Sequence, residues 1–165
     1  MKNLAFLAIL AVLATACAGR GGWGVPSLTP GTPEATVRAA LGTPTATYRD
    51  GVDTLLEYAY GPAGQTTWMA RLDPQGRLVS YQQVLTSANF ATVRIGKDDR
   101  DAILHRFGRP AEVRRFAYSP SDVWMYRYKE QDVWDSVMYV EFAANGTVGR
   151  MVNGPDPERE ERRRH

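Results

Sequence analysis

The hydrophobic and polar positions of the chain follow the same order of patterns twice. In residues 31–44 the apolar residues recur at helical spacing, and the segment ends in the sequence Leu-Gly-x-Pro. Residues 97–110 have the same spacing and end in Phe-Gly-x-Pro, so that Gly108 takes the place of Gly42. Glycine suits the left-handed backbone just past a helix end, and the proline prevents the helix from resuming. The pattern therefore predicts two short helices that stop in the same way.

Polar residues at the start of both segments are candidates for helix caps. The side chains of Thr32 and Asp98 can accept hydrogen bonds from the free N–H groups of a first helical turn. Pro33 suits that turn because its missing N–H costs nothing there, and Asp101 follows Asp98 as in a capping box. With Asp99, these acids could also form a metal-binding loop. Their spacing differs from that of a calcium hand, so capping is the favoured interpretation.

After each helix the pattern changes to alternation, which is typical of half-buried strands. In the first unit the alternating residues are Leu56, Tyr58, Tyr60, Trp68, Ala70 and Leu72. In the second unit they are Trp124, Tyr126, Tyr128, Met138, Val140 and Phe142. Residues 73–76 have turn chemistry and precede a third strand, and Asn145-Gly146 predicts a type I′ turn at the same place in the second unit. Each unit is therefore predicted to be one helix followed by three antiparallel strands.

The repeated order predicts the α+β class and five segments. They are a signal peptide at 1–16, a lipidated cysteine and flexible tether at 17–30, a first unit at 31–95, a second unit at 96–153 and a charged, disordered tail at 154–165. The tail has prolines and mixed charge but no apolar residue to bury. The segment that joins the two units is expected to pack back on the body through Phe90, Val93 and Ile95.

The N-terminus has the features of an export signal. Lys2 precedes an uncharged apolar run from Leu4 to Leu13, which is shorter than the ~20 residues that span a bilayer. Small residues then lead to Cys17. In one interpretation Cys17 is lipidated and anchors the protein. In the other, cleavage after the small residues releases a soluble protein that carries a free thiol.

Composition limits the chemistry that the chain offers. Of 165 residues, 44% are hydrophobic and 23% are charged, which is ordinary for a globular protein. The formal net charge of +2, without a basic stripe interleaved with aromatics, argues against nucleic-acid binding. One cysteine and two histidines supply zinc sites and nucleophilic catalytic sets poorly. We therefore predict a protein without enzymatic activity, metal or cofactor.

Single polar residues indicate no catalytic site either. His105 lies on the second helix where the first unit has Ala39, and we interpret it as a solvated surface residue rather than a catalytic or metal-binding one. The carboxylates of Glu57, Asp135 and Glu141 could pair across strands, but the sequence defines no acid–base pair among them.

The aromatic residues exceed what two small cores need. One face of a half-buried sheet can remain open, and Tyr and Trp are enriched at interaction hot spots. The candidate partner-binding residues are Trp134, Tyr139, Tyr81 and Tyr128. Trp134 and Tyr139 fall on opposite faces of one strand, so they cannot both be core residues. The alternative is that the aromatics pack on the helix side and at the seam between the units.

These features together resemble the BamE-like (SmpA/OmlA) family of small outer-membrane lipoproteins. In the first unit the resemblance is carried by Val37, Leu41, Gly42, Pro44, Tyr58, Tyr60, Leu72 and Gly76. In the second unit it is carried by Ile103, Phe107, Gly108, Pro110, Trp124, Tyr126, Phe142 and Gly146. It covers most of the mature chain as two tandem copies. It implies a non-enzymatic αβ unit that binds other envelope proteins, as founding members do in supporting the insertion of β-barrels into the outer membrane. The function expected from the resemblance is a protein-binding or scaffold lipoprotein, accessory to outer-membrane β-barrel assembly or to envelope integrity.

The resemblance also implies a location and leaves two functions open. Because Ala18 rather than aspartate follows Cys17, an anchor of this kind would be sorted to the outer membrane, on its periplasmic face. The expected partners are then envelope proteins and, through Cys17, the membrane. The tandem arrangement is also similar to β-lactamase inhibitory proteins. The alternative is therefore an exported inhibitor of a secreted or periplasmic hydrolase, soluble in the periplasm or secreted.

Overall fold

The computed structural model describes residues 28–61, 64–115 and 122–163. The predicted signal peptide, Cys17 and most of the tether lie outside the described residues. The first half contains helix α1 (Glu34–Leu41) and strands β1 (Ala46–Asp50), β2 (Asp53–Tyr60), β3 (Thr66–Leu72) and β4 (Leu78–Gln83), and it is followed by the short helix α2 (Ser87–Phe90). The second half contains α3 (Arg100–Phe107), β5 (Glu112–Arg115), β6 (Asp122–Glu130), β7 (Trp134–Phe142), β8 (Val148–Pro155) and α4 (Pro157–Arg163).

Each half forms a four-stranded antiparallel sheet whose strands follow one another in chain order. The prediction of one helix and three strands per unit is therefore wrong. The missed strands are β1 and β5, which come soon after the Gly-x-Pro sequences and pair with the long aromatic strand of each sheet. Both are short edge strands, with the sequences ATYRD and EVRR. Hydrogen bonds to a single neighbour hold such strands, so they lack the apolar alternation that reveals a half-buried strand.

The longer strands show the predicted alternation. Tyr58 pairs with Trp68 in the first sheet, and Tyr126 pairs with Met138 in the second. Since paired residues project from the same face, the alternating side chains of neighbouring strands collect on one side of each sheet. In the first sheet that face packs on α1, where Val37 is fully buried. In the second sheet it packs on α3.

Helix α3 contacts both sheets. Its Ile103 and Phe107 belong to the core of the second sheet, and the Phe107 ring meets the Tyr126 ring edge to face at 5.7 Å. Leu55 and Met69, on the face of the first sheet that does not meet α1, join the same core. The layers are therefore α1, the first sheet, α3 and the second sheet. The unit boundary expected at residue 95 thus separates elements that share a core.

A buried carboxylate fixes the chain just past α3. The Glu57 side chain in β2 is only 1% exposed, and it accepts hydrogen bonds from Tyr48 Oη at 2.5 Å and from the Arg109 N–H at 3.1 Å. Burial, together with the hydrogen bond to this carboxylate, raises the pKa of Tyr48. From the second sheet, Tyr126 Oη donates to the Gly108 carbonyl oxygen at 3.0 Å. Side chains of both sheets therefore hold the same turn.

The helices begin later than the cap predictions placed them. Asp99 rather than Asp98 is the N-cap of α3, and its carboxylate accepts from the Ala102 N–H at 2.9 Å. Helix α1 begins after Pro33 without a side-chain cap, so the prediction of Thr32 as a cap is also wrong.

The reason is that the residues before both helices pair with the last strand of their sheet. The Leu78 N–H donates to the Thr32 carbonyl oxygen at 2.8 Å, and the Val148 N–H donates to the Asp98 carbonyl oxygen at 2.8 Å. Strand-like pairing keeps Thr32 and Asp98 out of the capping position. The same contact recurs in both halves.

The last hairpin of each sheet has one geometry. The Gly76 N–H donates to the Asp73 carbonyl oxygen and the Gly146 N–H to the Ala143 carbonyl oxygen, and both glycines have positive φ. A register shift follows in each sheet, as expected for a type I turn with a bulge. Positive φ is confined to Gly146 in the second turn, so the type I′ prediction is wrong. Asn145 instead accepts a backbone hydrogen bond through its side chain.

The C-terminal residues differ from the predicted disordered tail. Strand β8 continues through Pro155, and α4 follows it. The Arg127 guanidinium in β6 forms ion pairs with Asp156 and Glu158. Ion pairs rather than buried apolar residues hold this segment. The composition of the segment therefore does not indicate that it is ordered. Within the described ranges, no helix has the length and apolar character needed to cross a membrane.

Candidate binding groove

The four aromatic candidates lie in different surroundings. Trp134 is 58% exposed at the start of β7. Tyr128 is fully buried on the α3 face of the second sheet, and Tyr139 is half-buried on the opposite face of that sheet. Tyr81 lies in the first sheet and packs on Trp68, with ring centroids 4.8 Å apart. The structure therefore does not bring the four together, but it places Trp134 and Tyr128 along one groove.

One end of this groove is an apolar depression of about 370 Å³. It lies between the second sheet and the segment that joins the two halves. Its apolar lining residues are Phe90, Ala91, Val93, Ile95, Met138 and Met151. Phe90 is buried in the core, as the sequence predicts, whereas Ile95 is 58% exposed. Ile95 therefore contributes an accessible apolar side chain to the groove instead of packing on the body.

The other end is a depression of about 420 Å³ beside Trp134. Its remaining lining residues are Asp135, Ser136, Gly154, Pro155, Asp156 and Arg159. Glu130 and Asn153 line both depressions and so connect them. We call the two depressions together the β8 groove.

A hydrogen-bond network forms the floor of the β8 groove. Tyr128 Oη donates to Asn153 Oδ1 at 3.0 Å, and Asn153 Nδ2 donates to Glu130 Oε1 at 3.0 Å. Ser136 Oγ donates to Glu130 Oε2 at 2.8 Å. Burial raises the pKa of Tyr128, which keeps its hydroxyl a neutral donor. Both oxygens of the Glu130 carboxylate are thus oriented by neutral groups.

Glu130 differs in this respect from the other acids of the groove. Asp135 lies 2.7 Å from Lys129 Nζ, whose hydrogen bond lowers the pKa of Asp135. Asp156 lies 3.4 Å from Arg127 Nε. Among the side chains that the structure describes, no cation lies within ion-pair distance of Glu130. The centre of the groove therefore holds a carboxylate whose charge is not compensated by these side chains.

Strand β8 lies at the edge of the second sheet. Its first residue, Val148, exchanges backbone hydrogen bonds with the segment before α3. Backbone groups alternate in direction along a strand, and the Asp156 N–H donates to the Asp135 carbonyl oxygen of β7 at 3.0 Å. In the observed register, Met151 and Asn153 therefore direct their N–H and C=O groups away from β7. Over the described ranges no strand pairs with this edge. A free strand edge therefore runs beside the β8 groove.

The turn that presents Trp134 is strained. Gln131 and Asp132 have φ of 51° and 59°, and the Val133 N–H donates to the Glu130 carbonyl oxygen at 3.1 Å. This is the paired left-handed geometry of a type I′ turn, here without glycine. Each such residue costs about 1–2 kcal/mol. The strained turn sets Trp134 directly across from Glu130 on the neighbouring strand.

A separate cavity of about 280 Å³ lies between the first sheet and α3. His105 lines it, with its ring 5.9 Å from the Tyr48 ring and its Nδ1 3.5 Å from Asp50 Oδ1, so the prediction of a solvated residue is wrong. Arg71 lies 2.6 Å from Asp50 and 2.9 Å from Asp53. Its hydrogen bond holds the pKa of Asp50 below the usual value. The charged side chains of this cavity therefore pair with one another. We interpret the cavity as a packing gap between α3 and the first sheet and not as a binding site.

The acids at the start of α3 have separate roles. The Asp98 side chain is buried and accepts from the Arg94 N–H at 3.0 Å and from the Arg94 guanidinium at 2.6 Å, with Arg106 3.3 Å away. Burial alone would raise the pKa of Asp98, but these bonds lower it. Asp99 caps the helix, and Asp101 is exposed. In the part of the chain that the structure describes, no three potential ligands are close enough together to hold a metal ion.

No protein-family model matches the chain, and no curated protein matches it. Among solved structures, the chain is similar to the DUF4309 family protein YjgB from Bacillus subtilis subsp. subtilis str. 168. The identity is 12%, the match covers 75% of this chain and 78% of that chain, and the TM-score is 0.31. A likeness at this level says nothing of function.

Proposed function

We propose that the protein is a non-catalytic protein-binding module, and that it binds an extended segment of its partner along β8. The observation that supports this best is the free edge of β8 beside the β8 groove, with Trp134 and Ile95 exposed along it. An added strand would gain main-chain hydrogen bonds from the edge, while its alternate side chains enter the groove.

The side chains of the groove favour binding. Tryptophan is enriched among the residues that dominate binding energy, because its large apolar ring is desolvated by the partner. Ile95 and Met151 supply apolar area at the other end. The network beneath them, from Tyr128 to Glu130, gives the floor a fixed shape. A preorganised site of this kind loses little conformational entropy on binding.

We further propose that the module is exported and anchored in the outer membrane through Cys17, so that its partner is an envelope protein. The basis is the signal peptide predicted at 1–16, directly before Cys17, and the resemblance to the BamE-like family. Intact mass spectrometry of the membrane fraction tests this part. We expect a chain that begins at Cys17 and carries acyl groups, and a Cys17→Ser variant that leaves the membrane. An unacylated, soluble wild-type chain would contradict the anchor.

Site-specific photocrosslinking in living bacteria tests the binding surface. A benzophenone amino acid at Ile95 is expected to give a discrete adduct with one envelope protein. That adduct is expected to disappear when Trp134→Ser is added, because both side chains line the β8 groove. Val52, which is 71% exposed in the turn between β1 and β2, is the matched control position and is expected to give none. Equal adducts from the two positions, or no adduct at Ile95, would contradict the proposal.

A further inference from the structure

We propose that the segment bound by the β8 groove carries a lysine or arginine, flanked two residues away on each side by an apolar residue. This inference rests on the proposed function and specifies the chemistry of the partner.

The basic residue is inferred from Glu130. Its carboxylate lies at the junction of the two depressions, where it accepts from Ser136 and Asn153, which are neutral. Arg159 also lines the wider depression, but its charge acts on Asp135. A lysine or arginine of the partner would add a charge-assisted hydrogen bond to a carboxylate that is already oriented. An acidic partner would be repelled by the same group.

Trp134 favours the same class of side chain. It is the cross-strand partner of Glu130, and its ring is largely exposed. An indole face attracts a cation through its quadrupole and also covers the methylene stem of a lysine or arginine. One position of the groove therefore offers both a carboxylate for the charge and an aromatic surface for the stem.

The flanking apolar residues follow from the spacing along β8. Met151, Asn153 and Pro155 alternate on the groove face of this strand, and Asn153 lies beside Glu130. Side chains two residues apart in an added strand are about 6.5–7 Å apart and share one face. With the basic residue at Asn153, its neighbours on that face meet Met151 and Ile95 on one side, and Pro155 on the other. The inferred pattern is therefore apolar, any residue, basic, any residue, apolar.

A random heptapeptide display library selected against the full chain tests the inference. We expect the selected peptides to share the apolar–x–basic–x–apolar pattern and to bind more weakly as salt concentration rises. Glu130→Gln is expected to weaken these peptides roughly tenfold, because it removes the charge but keeps the shape of the side chain. Glu141→Gln, on the opposite face of the same sheet, is the matched control and is expected to leave binding unchanged. Thermal unfolding of both variants checks that each remains folded.

The outcomes separate the two proposals. Selected peptides that lack a basic residue but still depend on Trp134 would overturn the inferred pattern and leave the proposed function standing. Peptides that bind equally well to Glu130→Gln would do the same. Peptides that are indifferent to Trp134→Ser, or a library that yields no binder, would contradict both proposals.

Discussion

The two halves of the protein end their first helices in the same way but bury the turns that follow differently. Gly42 and Gly108 both stop a helix with positive φ, at 85° and 77°. A Cβ built on Gly42 would meet nothing within 4 Å. A Cβ built on Gly108 would lie 2.7 Å from Cδ of the buried Glu57 side chain. The difference arises because α1 covers only the first sheet, whereas α3 lies between the two sheets.

This contrast shows that a repeated local signal specifies a backbone conformation and not its surroundings. Gly42 is required for its conformation alone. Gly108 is required for its conformation and also for space, because Glu57 must reach the Arg109 N–H past it. The second half therefore depends on contacts that have no equivalent in the first.

The largest expected effect separates these two glycines. Gly42→Ala is expected to destabilise the protein by about 1–3 kcal/mol, because its φ of 85° and ψ of −158° lie in a region that essentially only glycine adopts. Gly108→Ala has the same cost, and the clash with a buried carboxylate adds about 1–3 kcal/mol. Urea unfolding of both variants measures the difference. An equal loss of unfolding free energy in the two variants would show that Glu57 moves aside without cost. It would contradict the difference between the two glycines.

Asp98 before α3 and Thr32 before α1 are expected to differ in how their contributions to stability depend on pH. Asp98 has a pKa below its ordinary value of 3.8, so its contribution to stability is complete above that pH and is lost as the pH falls through the folded value. Asp98→Asn is expected to cost about 2 kcal/mol near neutral pH, because hydrogen bonds to a charged group are lost. The cost shrinks as the pH falls through the lowered pKa of Asp98, below which the wild-type carboxylate is protonated as well.

Unfolding curves recorded across this pH range measure the effect. Thr32→Val, at the corresponding position of the first half, is the control and is expected to leave the acid dependence unchanged, since threonine does not titrate there. A pH-independent cost of Asp98→Asn would contradict the assignment.

A third comparison concerns two tyrosines of the first sheet, one on each face. Tyr48 donates to the buried Glu57, whereas the hydroxyl of Tyr58, on the α1 face, is buried without a hydrogen-bond partner in the described structure. Tyr48→Phe is expected to cost about 1.5–2 kcal/mol, because a charged acceptor loses its donor. Tyr58→Phe is expected to be neutral or slightly stabilising, because an unsatisfied polar group is removed. Comparing their urea midpoints tests this, and equal losses would contradict it.

The smallest expected effect lies in the hairpins. The first sheet has glycine at the positive-φ positions that flank its β2–β3 connection, Gly61 and Gly64, whereas the corresponding turn of the second sheet uses Gln131 and Asp132. Gln131→Gly is expected to stabilise the protein by about 0.5–1 kcal/mol, because it relieves the strain. Gly61→Ala is the reverse control and is expected to destabilise by a similar amount. A destabilising Gln131→Gly would show that its side chain has another role.

The sequence reveals those parts of the fold that have a local cause. The helix ends at Gly42 and Gly108 follow from backbone preference, and the alternation of strands such as β2 and β6 follows from one buried face. Strands β1 and β5 have no such mark, since main-chain pairing at a sheet edge holds them. The predicted cap positions are one residue too early, because Thr32 and Asp98 pair with strands that lie far away in the sequence.

The β8 groove was predictable only in part. The exposure of Trp134 agrees with the argument that it and Tyr139 cannot both be core residues. Glu130, Ser136 and Asn153 were missed, because they come from three strands and meet only in the observed register. That register includes a shift before Phe142 that the sequence does not disclose. A network of this kind is set by long-range pairing and not by spacing along the chain.

The position of α3 has a consequence for the order in which the protein is made. Strands β2 and β3 leave the ribosome before residues 97–110, and until α3 and the second sheet arrive, Leu55 and Met69 lack most of the apolar cluster that covers them. We therefore expect the first half not to fold stably alone, and a chain cut after residue 95 to aggregate. Because α3 shares a core with both sheets, we expect the two sheets to unfold in one cooperative transition. During synthesis, the first half is therefore expected to complete its folding only after residues 97–110 have been made.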